Sequence, residues 1–205
     1  QDVLVAMGPG AKPAVPTLLT IAENTSTAPN QRGRVFYTLA LAAPGSKEVT
    51  AALLKAADEN DTLVKVMVAA VLATLDPMPP EALTKLVHLA NTDRKTEVRA
   101  AALRSLAYAG PRAKPVKADL EKIAGGNIPE FALAAKVALA SMDGNLAGVA
   151  TDVRNGLGDK NSQVRSAAVD GLLLVGPKES DIPALQKLLA DRSDPVKETA
   201  AKCVA

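Results

Sequence analysis

A short phrase, in which a small residue precedes proline and a basic residue and a leucine-bearing segment follow, returns along this chain about every 33 residues. It stands at Gly8 and Pro9, Ala43 and Pro44, Asp76 and Pro77, Gly110 and Pro111, and Gly176 and Pro177, with Asp143 and Gly144 in the fifth slot. A repeat of this length means stacked supersecondary units, because each unit buries its apolar face only against its neighbours. The units run approximately 8–42, 43–75, 76–109, 110–142, 143–175 and 176–205, and the expectation is one continuous array over 1–205.

Within each unit the second half carries columns of constant character. One column reads Leu39, Leu72, Leu106, Leu139, Leu172 and Val204. Three residues earlier stand Phe36, Ala69, Leu103, Lys136, Val169 and Ala201, and four earlier Val35, Val68, Ala102, Ala135, Ala168 and Ala200. Spacings of three and four put these residues on one helical stripe. A further column, Gln31, Val64, Val98, Phe131, Val164 and Val196, extends that stripe toward the helix start. The first halves repeat a weaker signal in Leu18, Leu53, Leu86, Leu120, Val153 and Leu185. They predict first helices over Pro13–Ala22, Lys47–Ala57, Pro80–Ala90, Lys114–Ala124, Leu146–Leu157 and Ser180–Ala190, with proline near several starts where a missing N–H costs nothing. The chain is therefore expected to be all-α, with about six helix pairs. Val3 to Met7 read as the last turn of an earlier helix, and the lack of an initiating methionine or signal peptide points to a portion of a longer protein.

Charge repeats in the same register. Glu59 precedes Lys65 by six residues, as Asp93 precedes Arg99, Asp159 precedes Arg165 and Asp191 precedes Lys197. Arg32 continues the basic column and Ala132 breaks it. The acids are placed to cap a helix start, and the bases to reach back or across to an adjacent repeat, so that together they pin the register. The total of 24 basic and 22 acidic side chains leaves a formal charge of only +2, which disfavours nucleic acid as a partner. The longest apolar stretch, Leu63 to Leu75, is interrupted by Lys65 and too short to span a bilayer, so no transmembrane segment is expected.

The phrases Gly8–Leu19 (GPGAKPAVPTLL), Thr96–Leu106 (TEVRAAALRSL), Gly110–Leu120 (GPRAKPVKADL) and Ser162–Leu172 (SQVRSAAVDGL), with weaker copies over nearly the whole chain, resemble the HEAT repeat family in its short bacterial form, the phycobilisome-lyase type. The resemblance implies a right-handed α-solenoid of antiparallel helix pairs whose second helices line a concave surface that holds another protein. On that geometry the exposed row falls at Tyr37, Ala70, Arg104, Val137, Asp170 and Lys202, flanked by Asn30, Leu63, Glu97, Glu130 and Gln163. Its centre at Leu63, Val66, Ala70, Leu133 and Val137 is apolar enough to dock a helix or an extended segment. The competing reading is that these residues pack between helices, with the register shifted by one. Two departures from the pattern fall at Gly33 and Arg34 in the first unit and at Pro129 in the fourth.

Candidate chemistry is sparse. His88 is the only histidine and has no partner at metal-ligand spacing, and the iron-binding members of the resembling superfamily use His-Glu pairs that this chain lacks. Cys203, the only cysteine, reads as a small apolar filler. No glycine-rich phosphate loop occurs, so no catalytic, metal or cofactor-binding residue is assigned and no cofactor is expected. The expected function is a non-enzymatic interaction or scaffold module whose partner is another protein or another domain of the parent chain. The alternatives the resemblance leaves open are a DNA-binding domain of the alkylpurine glycosylase type and a bilin lyase or chaperone subunit.

Overall fold

The computed structural model describes residues 2–204, with side chains from residue 5 onward. Among the described residues every regular element is helical, in an α-solenoid arrangement of antiparallel pairs. The chain divides into two compact units, Gln1–Ser105 and Leu106–Ala205.

In the first unit α1 (Asp2–Met7) precedes the pairs α2 (Val15–Glu23) with α3 (Pro29–Ala42), α4 (Lys47–Ala56) with α5 (Thr62–Leu72), and α6 (Pro80–Thr92) with α7 (Thr96–Ala109), whose last residues belong to the second unit. The first helices stack on one another, α2 on α4 and α4 on α6, while α3 stacks on α5. The second unit continues with α8 (Lys117–Ala124) and α9 (Pro129–Met142), α10 (Ala150–Gly156) and α11 (Ser162–Val175), and α12 (Ile182–Leu188) and α13 (Asp194–Val204). Here α9 packs on α11 and α11 on α13. Two layers of helices result in each unit, and the apolar columns lie between them.

Local chemistry explains where helices begin. Ser46 Oγ accepts the Val49 N–H at 3.3 Å and Asp61 Oδ1 accepts the Val64 N–H at 3.0 Å, each satisfying an otherwise orphaned donor. Pro29, Pro80 and Pro129 open their helices at the position where no intrahelical N–H is needed. The recurring glycine sits where the chain turns from one pair into the next: Gly110 and Gly176 have φ of 55° and 89°, a region closed to most side chains.

Four expected first helices start later than the pattern suggested. The segments Gly8–Ala14, Gly110–Val116, Leu146–Val149 and Glu179–Asp181 are 3₁₀ turns, and the α-helices begin at Val15, Lys117, Ala150 and Ile182. Pro13 and Pro115 lie inside two of these turns, and a proline there cannot donate the i→i−4 bond an α-helix requires.

The columns mark the core. Leu18, Leu53, Leu86, Leu120, Val153 and Leu185 are all buried, as are Val35, Val68, Ala102, Ala135, Ala168 and Ala200. Leu39, Leu72, Leu106 and Leu172 are fully covered. Gln31 is exposed where its column is otherwise apolar, and Arg32 beside it is buried instead. In α9 Lys136 leaves the core and donates to Asp152 on α10 at 2.9 Å, and Leu139 is only half-buried. That helix buries Phe131, Ala135, Ala138 and Met142 instead.

Candidate protein-docking face

In the first unit α3 and α5 approach closely because α3 carries Gly33 at the crossing. A Cβ built on Gly33 would collide with the Met67 side chain, at 2.8 Å from its Cβ and closer still to its Sδ and Cε. The absent side chain therefore lets Met67 lie flat across α3. Beside this contact a cleft of about 420 Å³ opens, lined by Val5, Gly33, Arg34, Tyr37, Met67, Ala70 and Val71. Its walls are apolar apart from the Arg34 guanidinium and the Tyr37 phenol, and Tyr37 is 43% exposed. A few side chains of a partner fit a volume of this order.

Of the row expected from the sequence, Tyr37 and Ala70 meet in this cleft. Leu63, 46% exposed, and half-buried Val66 lie on the same helix, α5. That helix carries one charged residue, Lys65, and a helix apolar on nearly every side is ordinarily covered on every side. Glu97 is exposed and Arg104 half-buried on α7. In the second unit Glu130 accepts from Asn161 Nδ2 at 3.3 Å, and Asp170 is half-buried.

Leu133 and Val137 require a correction. Both are buried, at 8% and 3% exposure, so they do not belong to an open row. The reason is a pair of glycines on the neighbouring helices. Leu133 Cδ2 comes within 3.0 Å of where a Cβ of Gly156 would stand, and Val137 Cγ2 within 3.0 Å of that of Gly171. Both side chains are drawn into holes that only glycine leaves. Sequence reasoning missed Val5, Arg34, Met67 and Val71 as neighbours of Tyr37, although Gly33 stood out as a departure and Met67 lies one turn before Ala70.

The charged columns bridge repeats. Arg32, 2% exposed, donates Nη1 and Nη2 to Glu59 at 2.6 Å each and Nε to the Ala22 carbonyl at 2.7 Å. Lys65 Nζ donates to Asp93 at 2.6 Å. Arg165 makes the same fork to Asp191, at 2.7 and 2.9 Å, and also donates to the carbonyls of Asp159 and Lys160. The side-chain partners are therefore 26 to 28 residues apart rather than six, each base holding the acid of the following pair. Arg154 and Asp181 add a further fork in the second unit. Arg99 Nε donates to the Ala90 carbonyl at 2.8 Å, as Arg32 does to Ala22, whereas Lys197 turns back to Asp194 on its own helix at 2.6 Å. The acids in turn accept the backbone N–H two residues on, Lys95 to Asp93, Asn161 to Asp159 and Ser193 to Asp191, which fixes each loop.

These contacts set the ionisation of the acids. The Arg154 fork holds Asp181, and the Arg165 fork Asp191, below the usual aspartate range. For Asp93 burial pushes the pKa up, but the hydrogen bonds from Lys65 and the Lys95 N–H outweigh it and the net shift is down. Burial pushes the Cys203 thiol up, away from the thiolate form a nucleophile needs. His88 is exposed, and Thr92 on the same helix donates to its carbonyl at 2.8 Å. Among the described residues no three metal-ligating side chains gather, and no helix is long and apolar enough to cross a membrane.

Solved structures similar to this chain include two engineered proteins. One is 23% identical, covering 93% of this chain and 94% of its own at a TM-score of 0.42, and the other is 19% identical, covering 93% and 96% at 0.44. A third is the complex of CpcE and CpcF of phycocyanin lyase from Nostoc sp. PCC7120, 20% identical, covering 94% of this chain and 98% of that one at a TM-score of 0.39. No curated protein matches the sequence. The family model described as HEAT repeats matches residues 14–107, the stretch that contains α3, α5, the Gly33 crossing and the cross-repeat charge pairs of the first unit.

Proposed function

We propose that this chain is a non-enzymatic scaffold that binds another protein, and that the partner seats an apolar helix or extended segment on α3 and α5. The observation that supports this reading is the apolar cleft at Tyr37, Met67 and Ala70, on the one helix whose outer side carries Leu63 and Val66 where solvated helices carry charge. A helix-in-groove mode fits a rigid, pre-formed surface of this kind, since anchors at i, i+3, i+4 and i+7 fill a groove between parallel ridges. The HEAT repeats around the cleft add a frame that holds it open without cost at the moment of binding.

The test compares the wild-type chain with Ala70→Arg as baits in parallel captures, eluted over a salt gradient. Ala70 is exposed, so the arginine does not disturb the core. The expected result is a defined protein retained by wild type and bound at least about tenfold more weakly by the variant, a loss of roughly 1.4 kcal/mol. Identical retention by both baits would remove the cleft from the binding face. Nucleic acid released steeply by salt would overturn the protein-scaffold reading altogether.

A further inference from the structure

A polar cleft in the first unit is separate from the apolar one on α3 and α5. It encloses about 410 Å³, and its walls come from the second and third helix pairs. Asp58 and Asn60, in the loop that joins α4 to α5, form one side. His88 and Thr92 on α6, with Asp93, Arg94 and Lys95 in the loop that joins α6 to α7, form the other, and Lys65 on α5 also lines the cleft.

Both carboxylates of this cleft are already matched. Lys85 Nζ reaches the two Asp58 oxygens at 2.8 Å each. Asp93 accepts from Lys65 Nζ at 2.6 Å and from the Lys95 N–H at 2.9 Å. The other acids of the α4–α5 loop are engaged elsewhere, Glu59 by the Arg32 fork and Asp61 by the Val64 N–H. Arg94 and Lys95 are exposed, and among the described residues neither side chain has a carboxylate within ion-pair distance. With Lys85 set against Asp58 and Lys65 against Asp93, the guanidinium of Arg94 and the ammonium of Lys95 are the surplus, and the cleft is cationic at neutral pH.

Neutral and charged donors gather around that surplus. Thr92 Oγ1 gives its proton to the His88 carbonyl at 2.8 Å, so toward His88 Nε2, 3.3 Å away, it is an acceptor and the ring nitrogen carries a proton. That bond holds the imidazole at the cleft. Lys65 spends one of its three ammonium protons on Asp93, and Asn60 is exposed with an amide that can donate. We propose that this cleft binds a phosphate monoester dianion, clamped by Arg94 and Lys95 and further hydrogen-bonded by Asn60 and Lys65. A carboxylate is satisfied by a single guanidinium fork, whereas a phosphoryl group brings up to two charges and three strong acceptor oxygens, which match a guanidinium, an ammonium and neutral donors together. A volume near the small end of ligand sites suits a phosphorylated side chain or a small free ester.

His88 is the only histidine, so its ring signals in a proton NMR spectrum report on this cleft alone. The chain is titrated at fixed pH and ionic strength with inorganic phosphate, with phosphoserine, with a short phosphoserine peptide and with acetate. Inorganic phosphate should shift the His88 signals along a saturating curve in the millimolar range, and acetate should not. Arg94→Gln combined with Lys95→Gln should weaken phosphate binding by about tenfold or more. Lys47→Gln combined with Lys55→Gln removes the same charge from exposed positions on α4 outside the cleft and should leave binding unchanged. All four side chains are exposed, so both double variants keep the core intact. Tighter binding of the peptide than of phosphoserine would assign the phosphoryl group to a protein side chain, and equal binding would assign it to a free ester. A shift that does not saturate, an equal response to acetate, or equal weakening in the two double variants would reduce the cleft to general charge attraction and overturn the site.

Discussion

The α3–α5 stack of the first unit and the α9–α11 stack of the second meet the same packing problem with the roles of hole and knob exchanged. In the first, the hole is Gly33 on the earlier helix and the knob is Met67 on the later one. In the second, the knobs are Leu133 and Val137 on the earlier helix and the holes are Gly156 and Gly171 on the following pair. The consequence falls on two positions that correspond by the repeat. Val66 and Ala70 remain partly or fully outside and border an open cleft, whereas Leu133 and Val137 are drawn inside and the equivalent surface is filled. A glycine moved across the interface decides whether a row of apolar side chains is core or borders an open cleft.

The largest effect expected from testing this comparison lies in the shared leucine column. Leu72 is completely covered and Leu139 only half-buried, since Lys136 has turned α9's column outward. Leu72→Ala should cost roughly 2 to 5 kcal/mol and Leu139→Ala clearly less, read as urea midpoints at constant m. Equal losses would show that the two helices bury their columns alike, against the exposure difference.

Next in size is the buried fork of the first unit. Arg32→Ala strands the Glu59 carboxylate, which is 24% exposed, and empties the donor of the Ala22 carbonyl. Removing one partner of a buried pair costs about 3 to 5 kcal/mol when both are fully enclosed, so a loss near the lower end is expected here. Lys197→Ala at the exposed counterpart should leave the urea midpoint close to that of wild type. A double-mutant cycle of Arg32→Ala with Glu59→Ala would give the coupling directly, and a coupling near zero would reduce the fork to a packing contact.

The glycine exchange itself predicts a smaller asymmetry. Gly33→Ala meets Met67 Cβ as well as the far end of its side chain, so the helices must part; a net loss of about 1 to 2 kcal/mol is expected despite alanine's better helix propensity. At Gly171 the added methyl stands 3.0 Å from Val137 and from Val153, a tight but adjustable contact, and the propensity gain of roughly 1 kcal/mol offsets more of it. Thermal midpoints ordered the other way would refute the assignment of Gly33 as the tighter crossing.

Much of this was legible in the sequence because the 33-residue period repeats the same burial demand, and burial of Leu39, Leu72 or Leu172 is dictated by column. The repeated glycine before proline likewise forecast the turns at Gly110 and Gly176. The exposure of the expected row was legible only where side chains at consecutive repeats kept the same orientation, as at Tyr37 and Ala70. It failed at Leu133 and Val137 because their fate depends on glycines 23 and 34 residues later, which no periodicity within one helix reports. The charge columns were visible as columns, but the pairing was not. A spacing of six within a loop and a helix start looks local, and only the stacking of pairs brings an acid of the next unit, 26 to 28 residues on, within reach.

The smallest expected effect separates those inter-repeat pairs from exposed ones by pH. Asp181 and Asp191 are held below the usual aspartate range by the forks of Arg154 and Arg165, so the folded chain binds their protons less readily than the unfolded chain does. A group depressed in this way contributes stability that is fully present above its unfolded value, near pH 4, and is lost as pH falls through the lower folded value. Wild type should therefore lose stability below about pH 4, and Asp191→Asn, which keeps an acceptor for the Ser193 N–H but not the charge, should lose less over that interval. The two chains would differ most at neutral pH and converge in acid when urea midpoints are followed from pH 7 to pH 3. Parallel curves would mean that Arg165 stabilises the loop through the carbonyls of Asp159 and Lys160 alone, leaving Asp191 as a turn residue rather than an ionic partner.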